Sequence, residues 1–183
     1  MEWSGELTDQ LDWHWINRLR PRLDGLTDAE YFWEPVAGCW SVRPRAEASA
    51  PQLEGSGEFV FEHAWPPPEP APVTTIAWRL AHLTIVFGRR AAVHFGGPPC
   101  DAATFPYSGS AAGALGQLDA AYSAWIGGLR GLDDAALELP CGPAEGPYAK
   151  APMAALVLHV NREAIHHGAE IALLRDLYAH QPR

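Results

Sequence analysis

Pro152-Met153-Ala154-Ala155-Leu156-Val157-Leu158-His159-Val160-Asn161-Arg162-Glu163-Ala164-Ile165-His166-His167-Gly168-Ala169-Glu170-Ile171 opens a stretch that continues without a proline to about Ala179. Proline is favoured at a first helical position. The stripe Leu156, Val160, Glu163, His167, Ile171, Leu174, Tyr178 alternates steps of four and three residues, the period of a helix packed along one face. A helix from about Pro152 to Ala179 is predicted. Two members of the stripe are out of place, because an unpaired carboxylate in a core costs several kcal/mol or takes up a proton. Glu163 and His167, one turn apart on that face, require a partner from a neighbouring element.

Working outward, the remaining helices are read from the same period. Leu7, Leu11, Trp15, Leu19 and Leu23 recur at four-residue steps and predict an amphipathic helix over about Glu6 to Leu26, with Pro21 able to kink or shorten it. A second helix should start near Thr74 or Thr75, either of which can cap it, and run through Ile76, Leu80, Leu83 and Phe87 to about Phe95, where Gly96-Gly97-Pro98-Pro99 stops it. A third is expected over about Ser110 to Leu129, followed by a short turn at Asp133 to Leu137. Four long amphipathic helices point to an all-α helical bundle. Between the first two, from Thr27 to Thr75, the helical period disappears. That stretch holds a Thr27-x-x-Glu30 capping box, the strand-like Glu58-Phe59-Val60-Phe61-Glu62 and the proline run Pro66-Pro67-Pro68, and is expected to pack as an irregular insertion, a small hairpin or a cover over the site, the competing reading being a flexible linker between two domains.

Length and composition narrow the function. At 183 residues the chain is near the size of one domain, so a single domain over 1–183 is expected, with a core large enough to stand without a metal or disulfide staple. Thirteen Lys and Arg against 22 Asp and Glu give a net charge of −9, which opposes nucleic-acid binding, and with Lys150 the only lysine there is no polybasic run for a membrane surface. The N-terminal Met1-Glu2-Trp3-Ser4 has neither a basic nor an apolar leader segment, and the three cysteines, Cys39, Cys100 and Cys141, contain no CxxC pair. A cytoplasmic protein with reduced thiols is the expectation.

The partner for Glu163 and His167 is offered by Trp78-Arg79-Leu80-Ala81-His82-Leu83, where His82 falls near the edge of the buried face of the second helix. Two imidazoles and a carboxylate make the His2Glu set of an open catalytic zinc site, with a position left for water or substrate. The competing reading is a buried hydrogen-bonded Glu163–His167 pair with His82 incidental. His166 competes with His167 as ligand, but the register it implies pairs it with Arg162, and a guanidinium cannot ligate. His159 is read as a surface residue or a support to Glu163. His14, His63, His94 and His180 are read as surface or core residues. Trp13, Trp15, Trp33, Trp40, Trp65, Trp78 and Trp125 are read mainly as core, Arg43 and Arg45 as a loop end or a carboxylate grip, and Cys39 as no nucleophile.

Leu80-Ala81-His82-Leu83 together with Glu163-Ala164-Ile165-His166-His167-Gly168-Ala169-Glu170-Ile171 resembles the DinB-like superfamily, which includes bacillithiol transferases and mycothiol-dependent maleylpyruvate isomerases. The family's common pattern on the last helix is His-x-x-x-His, then a small residue and Gly-Gln-Ile. The first ligand falls here on Glu163, a departure shared with the maleylpyruvate isomerase branch. The resemblance implies an up-down-down-up four-helix bundle holding one divalent metal at His82, Glu163 and His167, with zinc foremost and nickel or another transition metal as alternatives. It also implies a thiol S-transferase or isomerase acting on a small-molecule thiol and an electrophile. The thiol could be mycothiol, should the arginine-rich, lysine-poor bias reflect a high-GC host. A non-catalytic small-molecule binding bundle and a metal-assisted hydrolase use the same residues, and a homodimer is left open.

Overall fold

The computed structural model describes residues 2–181. The chain is mostly helical, with a small three-stranded sheet. The first helix comprises α1 (Trp3–His14), a π turn over Trp15–Leu19 and α2 (Arg20–Arg22). Four-residue steps drift about 40° each around a helix of 3.6 residues per turn. The wider π turn absorbs that drift, so Leu11, Trp15, Leu19 and Leu23 all stay buried. Pro21 supplies no N–H to the ladder, and the helix ends at Arg22, earlier than the spacing of leucines predicts.

α3 (Asp28–Tyr31) is one turn, capped by the Thr27 hydroxyl accepting from Glu30 N. The longer helices begin and stop where their caps dictate. Thr75 accepts from Trp78 N to start α4 (Ile76–Phe95), and Gly96 stops it at φ +68°, a left-handed conformation suited to glycine. Ser110 caps α5 (Ala111–Leu129), and Asp133 caps the short α6 (Asp134–Glu138). A 3-10 segment over Pro143–Tyr148 leads to α7 (Met153–Ala179).

α4 packs along α5, while α7 lies against α4 and α1. The core between them centres on Trp15, which stacks on Tyr122 at 3.8 Å and meets Phe87 edge-on. Gly168 brings α7 close to the first helix, where a Cβ would stand 3.2 Å from both His14 Nε2 and Leu19 Cδ1. The buried stripe of α7 is Leu156, Val157, Val160, Asn161, Ala164, Gly168, Ile171 and Leu174. Glu163 and His167 are therefore not in the seam to which their spacing assigns them. They stand at its edge, half-buried, facing α4.

The all-α expectation is corrected by the segment between α3 and α4. There β1 (Val42–Pro44), β2 (Gln52–Glu54) and β3 (Phe59–His63) form an antiparallel sheet in the order β1-β3-β2. Strands of three residues are too short to show alternation, which is why only the region of β3 is legible. The sheet is tied by Glu62, whose carboxylate accepts from the backbone N–H of Ser41, Ser49 and Ala50 and from Arg43 Nε at 2.8–3.2 Å. Arg43 thus grips a carboxylate, but the protein's own, and also pairs with Glu34. Among the described residues, no helix is long and apolar enough to cross a membrane.

Candidate metal centre

Residue 82 lies two turns into α4 and residues 163 and 167 in the middle of α7, where these two helices face each other. His82 Nε2 stands 3.3 Å from Glu163 Oε2, and His167 Nε2 stands 3.4 Å from the same oxygen. Ligand atoms of all three lie within 4.8 Å of one another. The imidazoles meet edge to face, with centroids 4.7 Å apart. Side-chain exposures of 30% for His82, 20% for Glu163 and 13% for His167 leave the cluster reachable from solvent yet largely enclosed. Hydrogen bonds from His167 and then His82 hold the Glu163 carboxyl well below the usual carboxylate range.

The donor set suits a divalent ion. Tetrahedral ligands with bonds of about 2.0–2.2 Å stand about 3.3–3.6 Å apart. The two nitrogen-to-oxygen separations already have that value.

Around these three the structure adds residues that the spacing alone does not reveal. Glu170 Oε2 stands 2.7 Å from His167 Nδ1, the arrangement in which a carboxylate fixes the ring so that Nε2 faces the site. Arg79 forms an ion pair with Glu170, engaging its negative charge. Burial lowers the pKa of Arg79 to about 10, which still leaves it charged at neutral pH. The signals were present: Glu170 is three residues after His167 and Arg79 three before His82, each on the face of its neighbour. Trp78 stacks on His82, rings 8° from parallel and centroids 5.2 Å apart, while its Nε1 donates to Glu62 O at 2.8 Å. The sheet thereby braces the indole that braces His82.

The rival and flanking residues fall as follows. His166 is exposed and faces Glu170 at 3.4 Å; it does not join His82 and Glu163 but groups with His167 and Glu170 as a second, more exposed set of possible ligands. His159 is half-buried, with its Nδ1 3.6 Å from Glu163 Oε1, too far for a hydrogen bond. Burial lowers its pKa, and its Nδ1 accepts from Arg162 at 2.8 Å. His94 is buried against Glu145, and His63 pairs with Glu54. Trp13 and Trp65 are exposed, contrary to a core reading, whereas Trp15 and Trp125 are buried. Arg45 bonds the loop carbonyls of Gly55 and Gly57. Cys39 is buried, donates to Val36 O at 3.0 Å and has its pKa pushed up by burial, so it is held as a thiol.

No curated protein and no solved structure matches the chain. A family model described as the DinB superfamily matches residues 10–171, a span that takes in most of the first helix, the sheet, the helix carrying His82 and the part of α7 that carries Glu163 and His167. His and Glu clusters that could hold a metal ion fit that family, and a match over most of the sequence decides membership: the chain belongs to the DinB superfamily.

Proposed function

We propose that the chain is a single-domain, up-down-down-up four-helix bundle, with residues 27–75 inserted between its first two long helices, that binds one divalent metal through His82, Glu163 and His167. The observation that carries this reading is the convergence of two imidazole nitrogens on one carboxylate oxygen at 3.3 and 3.4 Å, one of them from His82, 81 residues away from Glu163 in sequence. The nitrogen and oxygen donors favour zinc, with nickel and other transition metals accommodated by the same set. We further propose that the protein is a cytoplasmic thiol S-transferase or isomerase, acting on a low-molecular-weight thiol and an electrophilic small molecule.

When bound, the metal would supply a Lewis-acid position that lowers the pKa of an incoming thiol, the thiolate being the nucleophile. The chain's own residues do the rest. Glu163 contributes the single negative charge of the donor set and holds both Nε2 atoms on one side. Glu170 accepts a hydrogen bond from His167 Nδ1–H and so dictates which nitrogen is offered. Arg79, paired with Glu170, keeps that carboxylate on its supporting task. Trp78 covers one face of His82 and limits its rotation.

The test is elemental analysis of protein purified without added metal, followed by conjugation rates of an electrophile with a panel of glutathione-like and amino-sugar thiols. About one equivalent of metal and an acceleration abolished by His82→Ala are expected. Metal-free protein that cannot be loaded overturns the metal reading. Loaded protein that accelerates no thiol overturns the transferase reading and favours a binding bundle.

A further inference from the structure

A cavity of about 340 Å³ lies along the same α4–α7 groove, between the candidate metal centre and the 3-10 segment. Its lining includes Arg90, Glu145, Tyr148, Leu156, His159 and Arg162. Arg90 is two turns beyond His82 on α4, and His159 one turn before Glu163 on α7. Glu163, next to the lining residue Arg162, stands between the cavity and the centre, and its two oxygens have different company. Oε2 faces His82 and His167, whereas Oε1 faces the cavity residues His159 at 3.6 Å and Arg162 at 4.0 Å.

The polar groups lining this space are unbalanced. Arg90 is 15% exposed, yet its Nε has no hydrogen-bond partner. Its two other contacts are long, 3.5 Å to Val86 O and 3.8 Å to Glu145. A guanidinium offers five donors, and leaving them unused in a buried place is costly. Glu145, the nearest counter-charge, is also engaged by His94 at 3.1 Å. Arg162 adds a second positive charge, and His159 accepts from it as a neutral imidazole. Two carboxylates stand near the two guanidinium groups, but Glu145 is shared with His94 and Glu163 is turned chiefly to its two imidazoles, so the donors of Arg90 stay underused. Planar guanidinium groups match planar oxyanions best, and the volume is that of a small-molecule pocket.

We propose that this cavity binds the carboxylate of a small organic acid between Arg90 and Arg162, directing the remainder of the molecule along the groove toward His82, Glu163 and His167. Its role as a substrate pocket rests on the metal reading above; the binding of the acid does not.

The experiment is calorimetric titration of the full chain, metal-loaded and chelator-treated, with benzoate and succinate, and with benzamide as the uncharged control. Saturable binding of at least one acid, and none of benzamide, is expected in both forms. Arg90→Met should weaken it at least about tenfold. Arg162→Ala should weaken it about two- to fivefold, and because Arg162 is 70% exposed this variant folds whatever becomes of Arg90→Met. Both variants should hold as much metal as the parent protein. The proposal is overturned if neither acid saturates, if both variants bind like the parent, or if chelation alone abolishes binding, since the acid would then be held by the metal. A parent chain that takes up no metal but binds the acid defeats the metal reading and leaves the cavity assignment standing.

Discussion

Glu62 and Glu163 are both carboxylates taken largely out of water, and the molecule treats them in opposite ways. Glu62 is 1% exposed and accepts from three backbone N–H groups and one guanidinium at 2.8–3.2 Å. Glu163 is partly open and its close partners are side chains, chiefly two imidazole nitrogens at 3.3 and 3.4 Å, with one oxygen turned toward a cavity. Backbone donors cannot be exchanged for anything else, so the first carboxylate is part of the scaffold. Imidazole donors can give up a proton for a metal ion, so the second is available for chemistry.

The sharpest test of that contrast is Glu62→Gln. Removing one partner of a buried, fully bonded charge should cost about 3 kcal/mol, which for a chain of this size is roughly 6–12 °C in melting midpoint, without changing metal stoichiometry in the folded protein. Thermal melts beside elemental analysis check it, and a loss of metal without a loss of stability would reverse the two roles. Glu163→Gln should do the opposite. With metal at a hundredfold excess over Kd, the parent protein gains about 2.7 kcal/mol that the variant lacks, while the chelated forms differ by no more than about 1 kcal/mol. An equal drop in both forms would make Glu163 a second scaffold carboxylate.

Glu170→Gln should lower metal affinity about tenfold while leaving the ligands in place, since it removes a supporting charge and not a donor. Competition with a chelating dye reads that shift, and parent-like affinity would sever Glu170 from the site. The smallest effect concerns His14, between the first helix and α7. Burial, with a further push from Arg18, lowers its pKa, so the fold prefers it neutral. That preference contributes fully above the ordinary histidine value of about 6.5 and is lost as the pH falls through the lowered value. Chelated parent protein should therefore lose more stability between pH 7 and 5 than His14→Gln. Parallel pH profiles would remove the contribution.

What could be read from the residues follows from how far apart the informative ones are. α7 declares itself because Glu163 and His167 interrupt an otherwise apolar period, and α4 because Thr75 and Gly96 punctuate it. Periodicity nonetheless puts Glu163 and His167 one step too deep, because Gly168 and Ala164 let the first helix take the true seam. The sheet was opaque for a different reason. Its strands are held by pairings such as Val42 with Phe61 and Leu53 with Glu62, and by a glutamate whose backbone donors carry no mark in the sequence. Arg90 could not be singled out either, since an arginine beside Arg89 on a helix looks solvated until the 3-10 segment is placed across it.

Trp78 joins these two unlike regions, its ring on His82 and its N–H on the carbonyl of Glu62. For anyone redesigning this chain, residues 27–75 are consequently not a loop to be shortened at will. Variation there must keep the Glu62 carbonyl in reach of the indole N–H as well as the bonds of the Glu62 carboxylate, and a trimmed chain that loses that carbonyl would keep its three donor residues while freeing one of them to swing. A difference spectrum between the parent and Trp78→Phe would then serve as a gauge of how tightly any replacement segment holds the site.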